Sequence, residues 1–386
     1  MNSQTTKTIN KTVILKLACT HGTFSRLDLH KWSGLSKMTV TNLVSEFLSA
    51  GVMRMAGTED TVIGRKAELM EVVPDSIITI GVLITHHGLF VAGVGLDGTQ
   101  YGVTHAAMEP EIGFDEFREK ICLGIDGVIE ALPGKRFSGI AISSLGCVES
   151  AANVLELQAF YPNVGRVETL DSMLTERYGL PVISENDANV AALAELYYGK
   201  KPVPQTFIYI QIDEGIGAGL ITDGKLFGEV ESFAGEIGHM TVIHEGVACR
   251  CGNRGCLECY ISTTAICKMY ARVTGRERAD WDEVMADAAA GVEEALEVLE
   301  KTGGFLASGL VSLINIIGAE KIYIGDRGAD ILKYVGGYIE GEVNRRRFVK
   351  KPVTICPATF SKEARIMGVA PLWIERAGVP EITEKI

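Results

Sequence analysis

The residues with the most specific chemistry lie between positions 239 and 256. His239 is followed after nine intervening residues by Cys249, Cys251 and Cys256, the last three set in the run Cys-Arg-Cys-Gly-Asn-Arg-Gly-Cys. Zn(II) favours four tetrahedral sulfur and nitrogen ligands, and Gly252 and Gly255 allow the backbone to turn tightly enough for three thiolates to converge. Four protein ligands leave no position for a reacting water, so the expected zinc is structural. Cys259 follows directly and is expected to pack rather than to ligate. Nine cysteines is an odd number, and four of them crowd into eleven residues, which suits a metal site in a reducing cytoplasm better than a disulfide framework.

The elements that must hold such a site belong to a chain of 386 residues, long enough for two or three domains and, at 47% hydrophobic, able to form sizeable cores. Its polar start and the interruption of its longest apolar stretch, Gly304 to Ala319, by Ser308, Ser312 and Asn315 speak against a leader or a membrane span. The net charge of -12 argues against DNA binding by the whole surface. Residues 1–70, however, hold nine Lys or Arg against five Asp or Glu. A basic head on an acidic body is the asymmetry expected when the head alone meets phosphates.

The head, residues 1–73, reads as a winged helix-turn-helix. Val13, Ile14, Leu17 and Ala18 recur at helical spacing, and Ser25 can cap a second short helix to Trp32. Ser33-Gly34-Leu35 makes the turn, and Ser36 can cap a third helix with an apolar stripe of Val40, Leu43, Val44, Phe47 and Leu48. Off that stripe lie Lys37, Thr39, Thr41, Asn42 and Ser45, side-chain types that reach bases and phosphates in a major groove. Val52 to Met55 and Ala67 to Val73 would form the wing, its loop carrying Arg65 and Lys66 as further DNA contacts.

Beyond Pro74, residues 74–386 alternate strand and helix patterns in two α/β lobes with no short internal repeat. Strands are expected at Ile77–Leu83, Leu89–Leu96, Gly139–Ser143 and Val182–Ser184, with helices at Phe114–Leu132, Val167–Tyr178 and Asp187–Tyr198. Thr206–Ile212, Gly217–Ile221, Lys321–Ile324 and Val353–Cys356 supply the second set of strands, around helical Tyr260–Ile317 and Asp330–Arg346. Two such lobes meeting over a cleft are a natural small-molecule site.

Ala234-Gly235-Glu236-Ile237-Gly238-His239, the Cys cluster and Gly255-Cys256-Leu257-Glu258 together resemble the signature of the ROK family of repressors, open reading frames and sugar kinases. Glu185-Asn186-Asp187-Ala188-Asn189 and Gly215-Ile216-Gly217-Ala218-Gly219 agree with it, and Ser25-Arg26, Gly34-Leu35-Ser36 and Gly64-Arg65 fit the head of its transcription factors. The resemblance implies an actin-like, sugar-kinase-like (ribonuclease H-like) body behind the winged head. It also implies that Asn186, Asp187, Glu236, His239 and Glu258 hold sugar hydroxyls, with Asp187 the general base in the kinases. A cap of the helix at 187 is the alternative role for Asn186 and Asp187.

Several positions depart from the kinase pattern. Where the kinases carry an acid, two glycines and a threonine for phosphate and metal, this chain has Leu83, Ile84, Thr85, His86 and His87. Their Gly-Thr is here Asp213-Glu214, and their second Gly-Gly is Gly325-Asp326. Ser143 to Glu149 replaces a Pro-Gly sugar loop. The expectation is therefore a cytoplasmic, zinc-containing transcriptional regulator, not an enzyme, with Asp187 a vestigial base. Its partners would be a double-stranded DNA operator and a sugar or sugar-derivative effector, and it would act as a homodimer or homotetramer. The competing readings are an ATP-dependent sugar kinase with a DNA-binding extension, and a ligand-independent regulator controlled by a protein partner.

Overall fold

The computed structural model describes residues 3–59, 66–228 and 234–378. Helix α1 (Ser3–His21) is longer than its apolar periodicity suggests. In α2 (Arg26–Ser33) the Ser25 hydroxyl accepts from the Asp28 N–H while the Asp28 carboxylate accepts from the Ser25 N–H, satisfying two orphan donors at once. The Ser36 hydroxyl caps α3 (Lys37–Ser49) by accepting from the Thr39 N–H. Val40, Leu43, Val44 and Phe47 bury the expected stripe of α3. Strands β1 (Met53–Glu59) and β2 (Ala67–Val72) pair antiparallel as the wing.

The first lobe opens with a meander of β3 (Ile78–Thr85), β4 (Gly88–Val94) and β5 (Gln100–Ala107), whose third strand the sequence pattern did not signal. After α4 (Phe114–Ala131), β6 (Phe137–Ser144) joins β3 in parallel. A small sheet of β7 (Cys147–Glu149), β8 (Val154–Glu156) and β9 (Arg166–Val167) occupies part of the segment expected to start a helix, so α5 is only Leu170–Tyr178. Strand β10 (Val182–Asn186) pairs parallel with β6 and runs directly into α6 (Asp187–Tyr198). Ile80, Val82, Ile140 and Ile142 pack with Phe117, Ile121 and Ile125 of α4 in one core.

The second lobe repeats this plan without repeating the sequence. Strands β11 (Phe207–Ile212), β12 (Ile216–Thr222) and β13 (Lys225–Leu226) form the antiparallel part. The expected long helical region is four helices, α7 (Glu258–Ile261), α8 (Thr263–Thr274), α9 (Trp281–Ala289) and α10 (Glu293–Ile317). Strand β14 (Lys321–Asp326) pairs parallel with β11, α11 (Gly328–Arg346) follows, and β15 (Thr354–Pro357) pairs parallel with β14. The sheet orders β10-β6-β3-β4-β5 and β15-β14-β11-β12-β13 are equivalent, a meander extended on one side by two parallel strands. Last come α12 (Ala364–Met367) and α13 (Val369–Ala377).

Two compact units result. One comprises residues 3–198 and 364–378, the other residues 199–228 and 234–363. The head, the first lobe and the C-terminal helices thus form one unit, with the boundary expected at Pro74 inside it, because α1 packs against both α6 and α13. Among the described residues no helix is long and apolar enough to cross a membrane.

Within the head, Lys7 and Lys11 of α1 both pair with Glu46 of α3. Burial pushes the Glu46 carboxyl up, but the two ammonium groups outweigh it and hold the carboxyl below its ordinary value. A lowered carboxylate contributes stability above the unfolded value and loses it as the pH falls through the folded one. Glu46→Gln is therefore expected to cost up to about 1 kcal/mol at pH 7. The loss, read as faster amide exchange in α1 and α3, should shrink as the pH falls below the carboxylate range.

Candidate functional site

The cysteine knuckle is built by short antiparallel pairings. The Val242 N–H donates to the Gly255 carbonyl, the Gly255 N–H to the Val247 carbonyl and the Cys249 N–H to the Asn253 carbonyl, each at 2.8 Å. Gly255 has φ 74, and a Cβ there would overlap the Ile243 carbonyl, so the turn accepts only glycine. The fold brings the ligand atoms of His239, Cys249, Cys251 and Cys256 to within 4.8 Å of one another. Cys249 Sγ lies 3.6 Å from His239 Nδ1, and Cys251 Sγ lies 3.7 Å from Cys256 Sγ. Burial, followed by the neighbouring thiols of Cys251 and Cys249, pushes the Cys256 thiol up to about 12. The Asn253 backbone N–H, by contrast, leads in holding the Cys251 thiol below its ordinary value. Three thiolates at such separations repel one another unless a cation sits among them, which is the chemistry of this donor set. Cys259 stands outside the four, with burial the largest influence pushing its thiol up to about 11.

Glu236 precedes and His239 ends a single 3-10 turn, Ile237–His239. Glu258, at the start of α7, accepts from the Ile216 N–H at 3.4 Å and pairs with Arg250 at 3.4 Å. These three candidate residues belong to the second unit.

Asn186 and Asp187 belong to the first, at the junction of β10 and α6. Asn186 is the cap: its Oδ1 accepts from the Ala188 N–H, and its Nδ2 donates to the Gly146 carbonyl, both at 2.9 Å. Asp187 is buried, its Oδ2 3.5 Å from a guanidinium nitrogen of buried Arg365 in α12. Sequence reasoning quoted Glu185 but gave it no role, and the structure makes it a hub. Its carboxylate accepts from the Asn186 N–H (2.8 Å), Asn189 Nδ2 (2.9 Å) and the Ser150 hydroxyl (3.2 Å), and pairs with Arg376 of α13. No local signal marks Arg365 or Arg376, which lie 178 and 191 positions from their partners.

The departures from the kinase pattern take definite form. His86 and His87 form the two-residue turn of the β3–β4 hairpin, closed by the Thr85 hydroxyl donating to the Gly88 carbonyl. The Tyr161 hydroxyl donates to the Thr85 carbonyl at 2.5 Å. Asp213 pairs with Arg327 at 3.5 Å, and Asp326 adopts the left-handed backbone, φ 52.

In the head, Lys37, Thr41, Asn42 and Ser45 are exposed on one face of α3. Thr39 is half-buried, and its hydroxyl is hydrogen-bonded to that of Ser36 at 2.9 Å, so it completes the cap rather than joining that face. Met38, missed in the sequence reading, is 75% exposed beside Lys37. Lys66 is exposed at the start of the second wing strand, and Arg65 lies outside the described residues.

The ROK family model matches residues 106–376. The chain belongs to the ROK family. The xylose repressor of Bacillus spizizenii is 27% identical to this ROK protein over 377 residues, 96% of each chain. The DNA-binding transcriptional dual regulator NagC of Escherichia coli is 25% identical, covering 89% of this chain and 86% of its own. The crystal structure of a ROK family transcriptional regulator described as a homologue of the E. coli MLC protein superposes with a TM-score of 0.79 at 26% identity, covering 96% of both chains. The shared actin-like body behind a helical head accounts for the duplicated sheet plan.

Removing one partner of a buried pair leaves the other charge desolvated, at about 3–5 kcal/mol. Glu185→Ala is expected to destabilise the chain by that amount, read from its denaturation midpoint, whereas Arg166→Ala, which removes an exposed three-acid cluster, should cost less than about 1 kcal/mol.

Proposed function

We propose that this ROK protein is a cytoplasmic transcriptional regulator, a repressor of carbohydrate-utilisation genes, whose head binds duplex operator DNA and whose body senses a sugar or sugar derivative. The observation that carries the reading is the open face of α3, where Lys37, Thr41 and Asn42 stand exposed on a capped helix of a winged head. Similarity over nearly the full length to regulators, head included, supports it. A homodimer or homotetramer presents two such helices to a palindromic operator, with half-sites about one helical turn apart.

In this reading Asn186 and Asp187 supply donors and acceptors for sugar hydroxyls, and the same role is proposed for Glu236, His239 and Glu258. D-Xylose and N-acetyl-D-glucosamine are the first effectors to test, because relatives are named xylose repressor and, in Escherichia coli, N-acetylglucosamine repressor. Zinc would be held by His239 and the thiolates of Cys249, Cys251 and Cys256, whose ligand atoms lie within 4.8 Å of one another. The ion's part is structural: it neutralises the thiolates and fixes the imidazole, leaving Nε2 to face a hydroxyl. Catalysis is lost. Arg365 compensates the Asp187 carboxylate, the tight His86-His87 turn replaces a phosphate loop, and Asp213 brings negative charge where phosphate would sit.

Selection of bound duplexes by the full-length protein is expected to recover a palindromic site. Lys37→Ala should weaken all sequences and lower the salt slope by about 1, while Asn42→Ala should cost about 1–3 kcal/mol and relax one base position. Recovery of no preferred sequence would refute the reading. Cys251→Ser should abolish stoichiometric zinc and lower the melting temperature together; a metal-free wild-type protein of unchanged stability contradicts the zinc assignment. Incubation with ATP and either sugar should yield no sugar phosphate, and turnover that disappears in Asp187→Ala would establish a kinase instead.

A further inference from the structure

The C-terminal helices touch both the proposed effector residues and the proposed DNA-binding head, all within the first unit. Arg365 of α12 pairs with Asp187 at the start of α6. Eleven residues on, Arg376 of α13 binds Glu185 and donates to the Ser184 carbonyl at 3.0 Å. Its neighbour Glu375 faces the head: its carboxylate accepts from Lys16 of α1 at 2.5 Å and from the Tyr197 hydroxyl at the far end of α6 at 2.7 Å. Lys16 also lies 5.8 Å from the Tyr197 ring centroid. Burial holds the Tyr197 phenol well above its ordinary value, so it remains the donor in that bond.

The connection between these ends is stiff. Gly368 joins α12 to α13 with near-helical angles, φ -71 and ψ -4. The Gly368 N–H donates to the Ala364 carbonyl and the Leu372 N–H to the Gly368 carbonyl, carrying the helical bonding across the junction. A Cβ at Gly368 would overlap the Val190 carbonyl of α6, so the two elements are in backbone contact.

We propose that Arg365 and Glu375 are positioning residues of one relay, in which a polyol bound at Asp187 competes with Arg365, and the resulting shift of α12–α13 reaches α1 through Glu375, Tyr197 and Lys16. The proposal rests on reading Asp187 as an effector contact and the head as the DNA-binding element. Two states are required: Arg365 docked on Asp187, and Arg365 released with the ligand in its place. An effector shifts their populations only by its differential affinity for the two.

A double-mutant cycle on operator affinity tests the relay without requiring the effector. Asp187→Asn weakens the Arg365 contact and is expected to change operator affinity at least about five-fold, the lower end of ordinary allosteric coupling. Glu375→Gln keeps an acceptor for Tyr197 but loses the charge that holds Lys16, and should change affinity less than about two-fold alone while reducing the Asp187→Asn effect to below about two-fold. Equal Asp187→Asn effects in both backgrounds, or no effect in either, overturn the relay. Amide exchange supplies an arm that needs no DNA: Asp187→Asn should speed exchange in α13 and α1, and a change confined to the first turn of α6 and to α12 overturns it. Arg365→Gln is the companion variant should Asp187→Asn fail to fold. With D-xylose and N-acetyl-D-glucosamine as probes, Glu375→Gln should retain sugar binding by calorimetry while operator release falls to near none. Wild type that ignores both sugars counts against sensing of those two sugars, while the cycle and the exchange data still decide the relay.

Discussion

Two carboxylates that cannot be left alone organise the first unit. Glu185 and Asp187 sit at the end of a buried strand and the start of a buried helix, 1% and 5% exposed. A desolvated carboxylate is costly unless a cation and hydrogen-bond donors reach it. Both cations come from the far end of the chain, Arg365 and Arg376, so α12 and α13 must return across the first lobe. Once there, α13 offers Glu375 to the head and gives α1 a surface to pack on. The seating of the N-terminal head thus follows from the pairing of two acids near residue 186.

The knuckle of the second unit answers a different constraint. Its turn at Gly255 is set by backbone sterics, and its three thiols and the His239 imidazole converge within 4.8 Å of one another, a donor set suited to a cation. It places His239 and Glu258 within one short stretch of chain. The shared fold therefore holds two chemically independent anchor points, one metal-type and one ionic.

The same physics underlies the proposed separation of binding from turnover. A general base must be free to accept a proton, and a phosphate loop must offer backbone N–H groups without negative charge nearby. Here Asp187 faces a guanidinium, the hairpin at His86-His87 is closed by its own side-chain and tyrosine hydrogen bonds, and Asp213 is tied to Arg327. In the proposed reading each change would replace a group poised for reaction by one satisfied in place, so that catalysis would be lost while hydroxyls could still be bound.

Local chemistry was legible along the chain because its causes are local. The caps at Ser25 and Ser36, the apolar stripe of α3, the Cys-Gly spacing of the knuckle and the strands of both lobes depend on residues a few positions apart, and they appear where the sequence places them. The family motifs marked Asn186, Asp187, Glu236, His239 and Glu258, and the loss of glycines at 85, 86 and 326 was readable residue by residue. Contacts between distant segments were not legible: β5 and the β7–β9 sheet depend on pairing partners, the duplicated sheet plan survives without sequence repetition, and Thr39 turned from the helix face to the cap. Above all, Arg365 and Arg376 carry no periodicity or motif that points to residues 178 and 191 positions away. Residue order fixes which side chains are available and what chemistry they have. Which charges must neutralise one another emerges on folding, because burial sets the cost of an unpaired charge, and burial belongs to the packed chain as a whole.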